Sequence, residues 1–363
     1  MIGTIAFIIT LFILVLVHEY GHFKVARFFK VGIEEFGFGF PPAIKKINRH
    51  GLIISLNWIP LGGFVRIKGE EGSDNSPDSF TSQSIYKRVL IIVAGVSMNL
   101  IVAILIFSAG FIFGMPQDVT RGIPKGAEVR DLDFVIAGIV PNSPAATVFE
   151  RGESILSVDG KSFTELADLQ HYIESKKGQD IIVAVKNESD VSFKVLKPVE
   201  LNVGEGNSVV GLGVQLVATG IVSYPWYQAF FEGISFTAKT FGMIITTLGG
   251  AVFNLLRGSP AGIDVAGPFG IAVITGSVVK LGFLFLLQFV GLLSVNLAIV
   301  NLLPFPALDG GRLLFLIIEV IRRKPISHEL EARIHGLGFI VLLLLIVVVT
   351  YVDFQRLAGY LNW

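Results

Sequence analysis

The sequence predicts a polytopic α-helical membrane protein with four spans, a membrane-associated β-hairpin and one inserted α+β domain. Three observations carry that prediction. Four long apolar runs are nearly free of charge: Ile2 to Val17, Val89 to Gly114, Leu281 to Leu303 and Leu337 to Val352. Apolar residues make up 52% of the 363 and charged residues only 16%, against about 25% charged in an ordinary soluble domain. Between the second and third runs, over residues 115–225, charge returns and Gly, Pro, Asn and Asp recur at turn spacing.

The spans follow from length, because a helix crosses a bilayer in about 20 mostly apolar residues. The first covers 1–30, the second 87–114, the third 280–303 and the fourth 334–353. No basic stretch precedes the first run and no A-x-A-like site ends it, so it is expected to stay as a span and not leave as a secretory signal. Orientation follows from the basic loops, which stay cytoplasmic. One carries Lys24, Arg27, Lys30, Lys45, Lys46, Arg49, Arg66, Lys68, Lys87 and Arg88; the other carries Arg322, Arg323, Lys324 and Arg333. Four spans put both inside and leave the N-terminus and the inserted domain outside. A span over 226–258 would break that parity; with Glu232, Lys239 and its Gly and Thr content, the segment is expected as an amphipathic membrane-associated helix.

Within the cytoplasmic-side segment 31–86, residues 50–68 read as a re-entrant β-hairpin. Leu52 to Trp58 and Phe64 to Ile67 supply the strands, and Pro60, Gly62 and Gly63 the turn. In the inserted domain, short strands are expected at 134–140, 154–158, 181–185, 192–196 and 209–216, with a helix at about 165–175.

Zero net charge gives no whole-protein attraction to nucleic acid. The absence of cysteine excludes a disulfide scaffold and thiol chemistry. The chemistry-bearing feature is His18-Glu19-Tyr20-Gly21-His22. On a helix, positions i and i+4 share a face, so both imidazoles can reach one ion. In His-Glu-x-x-His the glutamate between them is placed to work on a water at that ion. Histidines that merely hydrogen-bond to neighbouring helices are the bland alternative; three ionisable groups in five lipid-buried residues are costly to keep for packing alone.

A catalytic zinc site takes three protein ligands and leaves a fourth position open. Asp309 is the candidate for the third. It ends Asn301-Leu-Leu-Pro304-Phe-Pro306-Ala-Leu, before Gly310 and Gly311, at the cytoplasmic end of the third span. The prolines stop that span and leave an extended segment. A helix-capping aspartate is the alternative. Asn296 and Asn301 could each hydrogen-bond a neighbouring helix; Asn301, just before the Pro-rich break, is the candidate to hold a substrate carbonyl or stabilise an oxyanion. His50 and His171 are expected in solvent, and His328 and His335 on an exposed cytoplasmic helix face.

These residues resemble a known family. His18-Glu19-x-x-His22 and Asn301-x-x-Pro304-x-Pro306-x-Leu308-Asp309-Gly310 look like the site-2 protease family of intramembrane zinc metalloproteases, with the closest likeness to the bacterial regulator of sigma-E protease type. Phe36-Gly37-Phe38-Gly39, Pro60-Leu61-Gly62-Gly63-Phe64, Gly95-x-x-Met98-Asn99 and Gly267-Pro268-x-Gly270-Ile271 are similar too. The resemblance implies one Zn2+ ion on His18, His22 and Asp309, Glu19 as catalytic base, and substrate contacts from Asn301, Gly62 and Gly63. It implies a bacterial inner-membrane enzyme, active near the cytoplasmic side, that cuts the transmembrane helix of a pre-cleaved single-span protein, such as an anti-sigma factor or a remnant signal peptide. It also implies that residues 120–218 form a PDZ-like domain: Val140-Pro141-Asn142-Ser143-Pro144-Ala145-Ala146 and Gly152-Glu153-Ser154-Ile155-Leu156-Ser157-Val158-Asp159-Gly160 resemble its usual patterns, with Glu153 where aspartate is usual. Gly211-Leu212-Gly213-Val214 would border the peptide groove, and the chain has room for one such module where the best-known members carry two. Two readings from other classes compete: a transporter or channel with an intramembrane metal-binding relay, and a non-catalytic scaffold that displays a PDZ-like module.

Overall fold

The structure is a computed structural model that describes residues 2–49, 51–70, 74, 76–141, 143–187, 190–202, 208–262, 266–324 and 326–361. His50 lies outside the described residues. The chain divides into a helical unit, residues 1–109 with 230–363, and a second unit, residues 110–229.

The helical unit begins with α1 (Ile2–Phe28). Its exposed face is apolar, with Ile2, Ile5, Ile9 and Ile13 turned outward, while Thr10, Leu14, His18, Gly21 and His22 form the buried stripe at helical spacing. Polar groups inside and aliphatic groups outside are what a lipid solvent demands. Helix α2 (Ile85–Phe113) crosses α1 closely. At Gly21 a Cβ would press into the backbone of Ala94. After the second unit come α4 (Trp226–Leu256), α5 (Pro268–Leu281), α6 (Phe283–Leu302), α7 (Asp309–Arg322) and α8 (His328–Leu361). Five described helices are long and apolar enough to cross a membrane, one more than the four spans expected from the sequence. The additional one is α4, the segment read as amphipathic.

The shorter α5 packs across α1 where Gly3 meets Gly276. Its first turn has no side-chain cap of its own. The buried carboxylate of Asp353, on α8, accepts the Gly270 N–H at 2.8 Å and so supplies one from another helix.

The expected hairpin at 50–68 needs correction. The paired elements are β1 (Ile33–Arg49) and β2 (Leu52–Ile67), and the tight turn between them is at Gly51, with φ of +86°. Both strands bend. Residues 45–49 pair with 52–56, while 33–38 pairs twice: with falling register from Glu35↔Arg66 to Phe38↔Gly63, and with rising register from Glu35↔Ile53 to Phe38↔Leu56. The chain does reverse around Pro60 to Gly63, but the two limbs it joins are not partners, because the 33–38 limb lies between them. The misreading has a physical cause: Pro and Gly signal a bend, and only long-range pairing says what the bent limbs embrace.

In the second unit, β3 (Met115–Asp118), β4 (Glu128–Ile139), β5 (Ser154–Val158), β6 (Ile181–Asn187), β7 (Asp190–Leu196) and β10 (Val214–Ser223) form an antiparallel sheet in the order β3-β10-β4-β5-β6-β7. Helix α3 (Leu166–Ser175) buries Leu166, Leu169 and Ile173 at helical spacing. The strand expected at 209–216 is two, β9 (Ser208–Gly211) and β10, broken at Leu212-Gly213, where Gly213 takes a φ of +87°. Sequence reading missed β3 and β8 (Val199–Asn202), both only four residues long. Glu153, where the motif usually has aspartate, is buried; it accepts the Glu150 N–H at 2.9 Å and pairs with Lys194 at 2.6 Å.

Candidate metal centre

One turn of α1 carries both imidazoles, with ring centroids 4.8 Å apart and planes at 83°. Their Nε2 atoms lie 3.2 Å from each other. Asp309, the first residue of α7, brings Oδ2 to 3.0 Å from His18 Nε2 and 3.2 Å from His22 Nε2. Among the described residues this is the one cluster of three groups able to hold a metal ion.

The protons show what the cluster suits. His22 Nδ1 donates to the Ile91 carbonyl at 2.8 Å, so its Nε2 presents a lone pair. The Asn99 amide lies 3.4 Å from His18 Nδ1, and its Oδ1 is otherwise buried without a hydrogen bond. An amide's oxygen and nitrogen exchange places by a half-turn. With the oxygen toward the ring, Asn99 accepts a hydrogen bond from the protonated Nδ1, and His18 Nε2 is a lone pair as well. Asp309 Oδ2 is likewise buried without a hydrogen-bond donor. Three acceptors then converge with no proton between them, which is repulsive unless a cation sits among them. A tetrahedron of ligands about 2.0–2.1 Å from a zinc ion has edges of roughly 3.4 Å, and the observed edges of 3.0–3.2 Å approach that. Two imidazole nitrogens, one carboxylate oxygen and an open side fit zinc.

The surrounding backbone is shaped to this cluster. A Cβ on Gly95 of α2 would fall 2.7 Å from Cε1 of His18 and closer still to Nε2 of His22. Gly310 lies against the carbonyls of Leu302 and Leu303, and Gly311 against that of Phe305, so the segment between α6 and α7 is folded tightly on itself. Glu19 Oε2 accepts the Val65 N–H at 3.1 Å, from the limb of β2 that borders the site.

A cavity of about 520 Å³ opens over the cluster. Val15, Phe40 and Leu297 form apolar wall, while Glu70 and Arg312, which are ion-paired, line it too. The structure brings His18, Glu19, His22, Asp309, Asn301 and Gly63 to this cavity. Asn301 Nδ2 is 3.4 Å from His18 Nε2. Gly62 is not part of the lining; its φ of +124° turns it against Val15. Asn296 is exposed on α6. His171 is exposed, as expected.

Sequence reasoning missed two residues here. Asn99 entered only as part of a family pattern, although a polar amide inside an uncharged run was a usable signal. His335 is not on an exposed face: its side chain is 18% exposed and its Nδ1 accepts the Ala307 N–H at 2.9 Å, two residues before Asp309. Nothing local in the sequence marks that contact.

The profile of peptidase family M50 matches residues 6–345. The chain belongs to peptidase family M50. A Clostridium perfringens protein named "putative zinc metalloprotease" is similar to it, 34% identical over 94% of this chain and 95% of its own length. A Brucella suis protein with the same descriptive name is 30% identical over 94% of this chain and 93% of its own. The solved PDZ domain of an SdrC-like protein from Listeria monocytogenes is similar over 23% of this chain and 85% of that domain, at 26% identity and a TM-score of 0.21. As an M50 peptidase the chain is a metalloprotease of the site-2 type.

Proposed function

We propose that this M50 peptidase is an intramembrane zinc endopeptidase of a bacterial inner membrane, which cuts the transmembrane segment of single-span proteins already trimmed by another protease. The observation that carries the reading is the convergence of the His18, His22 and Asp309 acceptors on helices whose outer faces are aliphatic. These three would hold the zinc. Bound there, zinc supplies Lewis acidity, which acidifies a water and polarises a peptide carbonyl.

The chain's own residues do the rest. Glu19 stands next to the ligand pair and is the group to take the water's proton and return it to the leaving amine. Asn99 and the Ile91 carbonyl keep both imidazoles in the ligating tautomer. A helical substrate hides its carbonyls in its own hydrogen bonds, so it must unwind before it can be cut. The freed backbone groups then need partners. The 63–67 limb of β2 pairs with β1 along one edge and borders the cavity with the other, so an unwound segment can add there as a strand. Gly63 and Asn301 flank its path.

Four spans, with α4 on the outer face, keep both basic loops cytoplasmic and the inserted unit, read as PDZ-like, outside. That unit then acts as a sieve against substrates that retain large ectodomains. Full-length protein in detergent, incubated with a single-span test substrate, is expected to cleave it within the apolar segment. A zinc chelator is expected to stop cleavage, and Glu19→Gln to stop it with zinc retained. Cleavage by metal-stripped protein, or by Glu19→Gln at the wild-type rate, would refute the proposal.

A further inference from the structure

We infer that His335 is a positioning residue for the metal centre: by holding the Ala307 amide, it fixes the turn that aims Asp309 at the two imidazoles. The inference rests on the reading of Asp309 as a zinc ligand.

The argument starts from the backbone. Ala307 has a φ of +80°, a left-handed conformation that an L-residue with a Cβ rarely adopts. Such a residue persists only where its surroundings over-determine it. The segment from Leu303 to Leu308 belongs to neither α6 nor α7, and Pro304 and Pro306 have no amide to donate. The Ala307 N–H is thus one of the few handles the segment offers, and α8 takes it: His335 Nδ1 accepts it at 2.9 Å. One turn on, at the i+3 position, Gly338 lies so close to Pro306 that a Cβ would strike its ring and carbonyl. The same face of α8 therefore grips two successive residues of the turn. Phe315 of α7 packs on the His335 ring, with centroids 5.3 Å apart, and sets its plane.

The roles of the two ring nitrogens agree with this. Nδ1 must be unprotonated to accept, so the proton sits on Nε2, which points toward Glu331 at 4.0 Å and has no hydrogen bond. The ring faces the cavity that also touches Ala307, Arg312 and Glu331, and it does not reach the ligand cluster itself. Its influence passes through two peptide units to the Asp309 carboxylate.

The test uses full-length protein in detergent and two readouts that need no turnover: zinc affinity by competition with a chromogenic chelator, and amide exchange of the 303–312 segment in metal-free protein. His335→Phe keeps a flat ring against Phe315 and removes the acceptor. It is expected to lower zinc affinity about 10–100-fold and to speed exchange of the segment. His335→Asn, whose Oδ1 stands close to the position of Nδ1, is expected to restore both. Ala307→Gly in the His335→Phe background is expected to recover most of the affinity, because glycine adopts the turn without strain. Unchanged zinc affinity in His335→Phe overturns the inference. So does a loss that neither His335→Asn nor Ala307→Gly repairs, which would make the residue ordinary packing. Asp309→Ala is the control: if it binds zinc as well as wild type does, the ligand assignment itself fails, independently of His335.

Discussion

The two halves of the proposed ligand set are built in opposite ways. His18 and His22 project from the middle of an unbroken helix, and their supports, Ile91, Gly95 and Asn99, lie one turn apart on a second unbroken helix. Asp309 emerges from a break between helices, and its supports are backbone contacts: carbonyls of α6, a strained alanine and an amide held by α8. The first half gets its geometry from helical periodicity. The second gets it from elements far apart in the chain. Substitutions should therefore disturb the first by moving rings and the second by moving backbone.

The largest effect tests whether the halves are equal partners. Asp309→Ala and His22→Ala are each expected to leave less than about a tenth of the wild-type zinc content, since a three-ligand site does not survive on two, and to reduce cleavage to background. Metal analysis of purified variants checks this, and a zinc-replete Asp309→Ala would break the comparison at once. Next comes Glu19→Gln, which belongs to the helix half but binds no metal. Its kcat is expected to fall about 10²–10⁴-fold with zinc content unchanged.

A smaller effect sharpens the contrast. Gly95→Ala pushes a methyl group at both imidazoles, and Gly310→Ala pushes one at two backbone carbonyls, where overpacking costs about 1–3 kcal/mol of stability. The first is expected to lower zinc affinity with little change in melting temperature, and the second to lower both. Equal behaviour in the two measurements would mean that the halves are not mechanically distinct. The smallest effect concerns a single proton. Asn99→Leu is expected to weaken zinc about tenfold, while Asn99→Asp, which still accepts from His18 Nδ1, keeps it; chelator competition separates them.

The same contrast explains what could be read from the sequence. The His18–His22 pair is legible because its spacing is the helix repeat. Asp309 is legible because an acidic residue beside Pro and Gly stands out in apolar surroundings. His335 is not, since the contact that matters joins positions 28 residues apart through a backbone amide. The bent β1–β2 ribbon was legible as strand and bend but not as pairing, because the 33–38 limb that fills it lies upstream and carries its own glycines. The long apolar helices were legible from composition; α4, by composition alone, fits either a lipid surface or a crossing. Buried amides such as Asn99 show their purpose only once the ring they face is known.

The hydrogen bond from the Val65 amide to Glu19 carries a lesson for inhibitor chemistry. The strand edge proposed to grip an extended chain is also tied to the carboxylate beside the candidate metal centre. A compound that lays a peptide-like backbone along residues 63–67 would compete with substrate for that edge, with no warhead for the metal. Selectivity over soluble zinc enzymes could then come from a strand edge instead of from chelation.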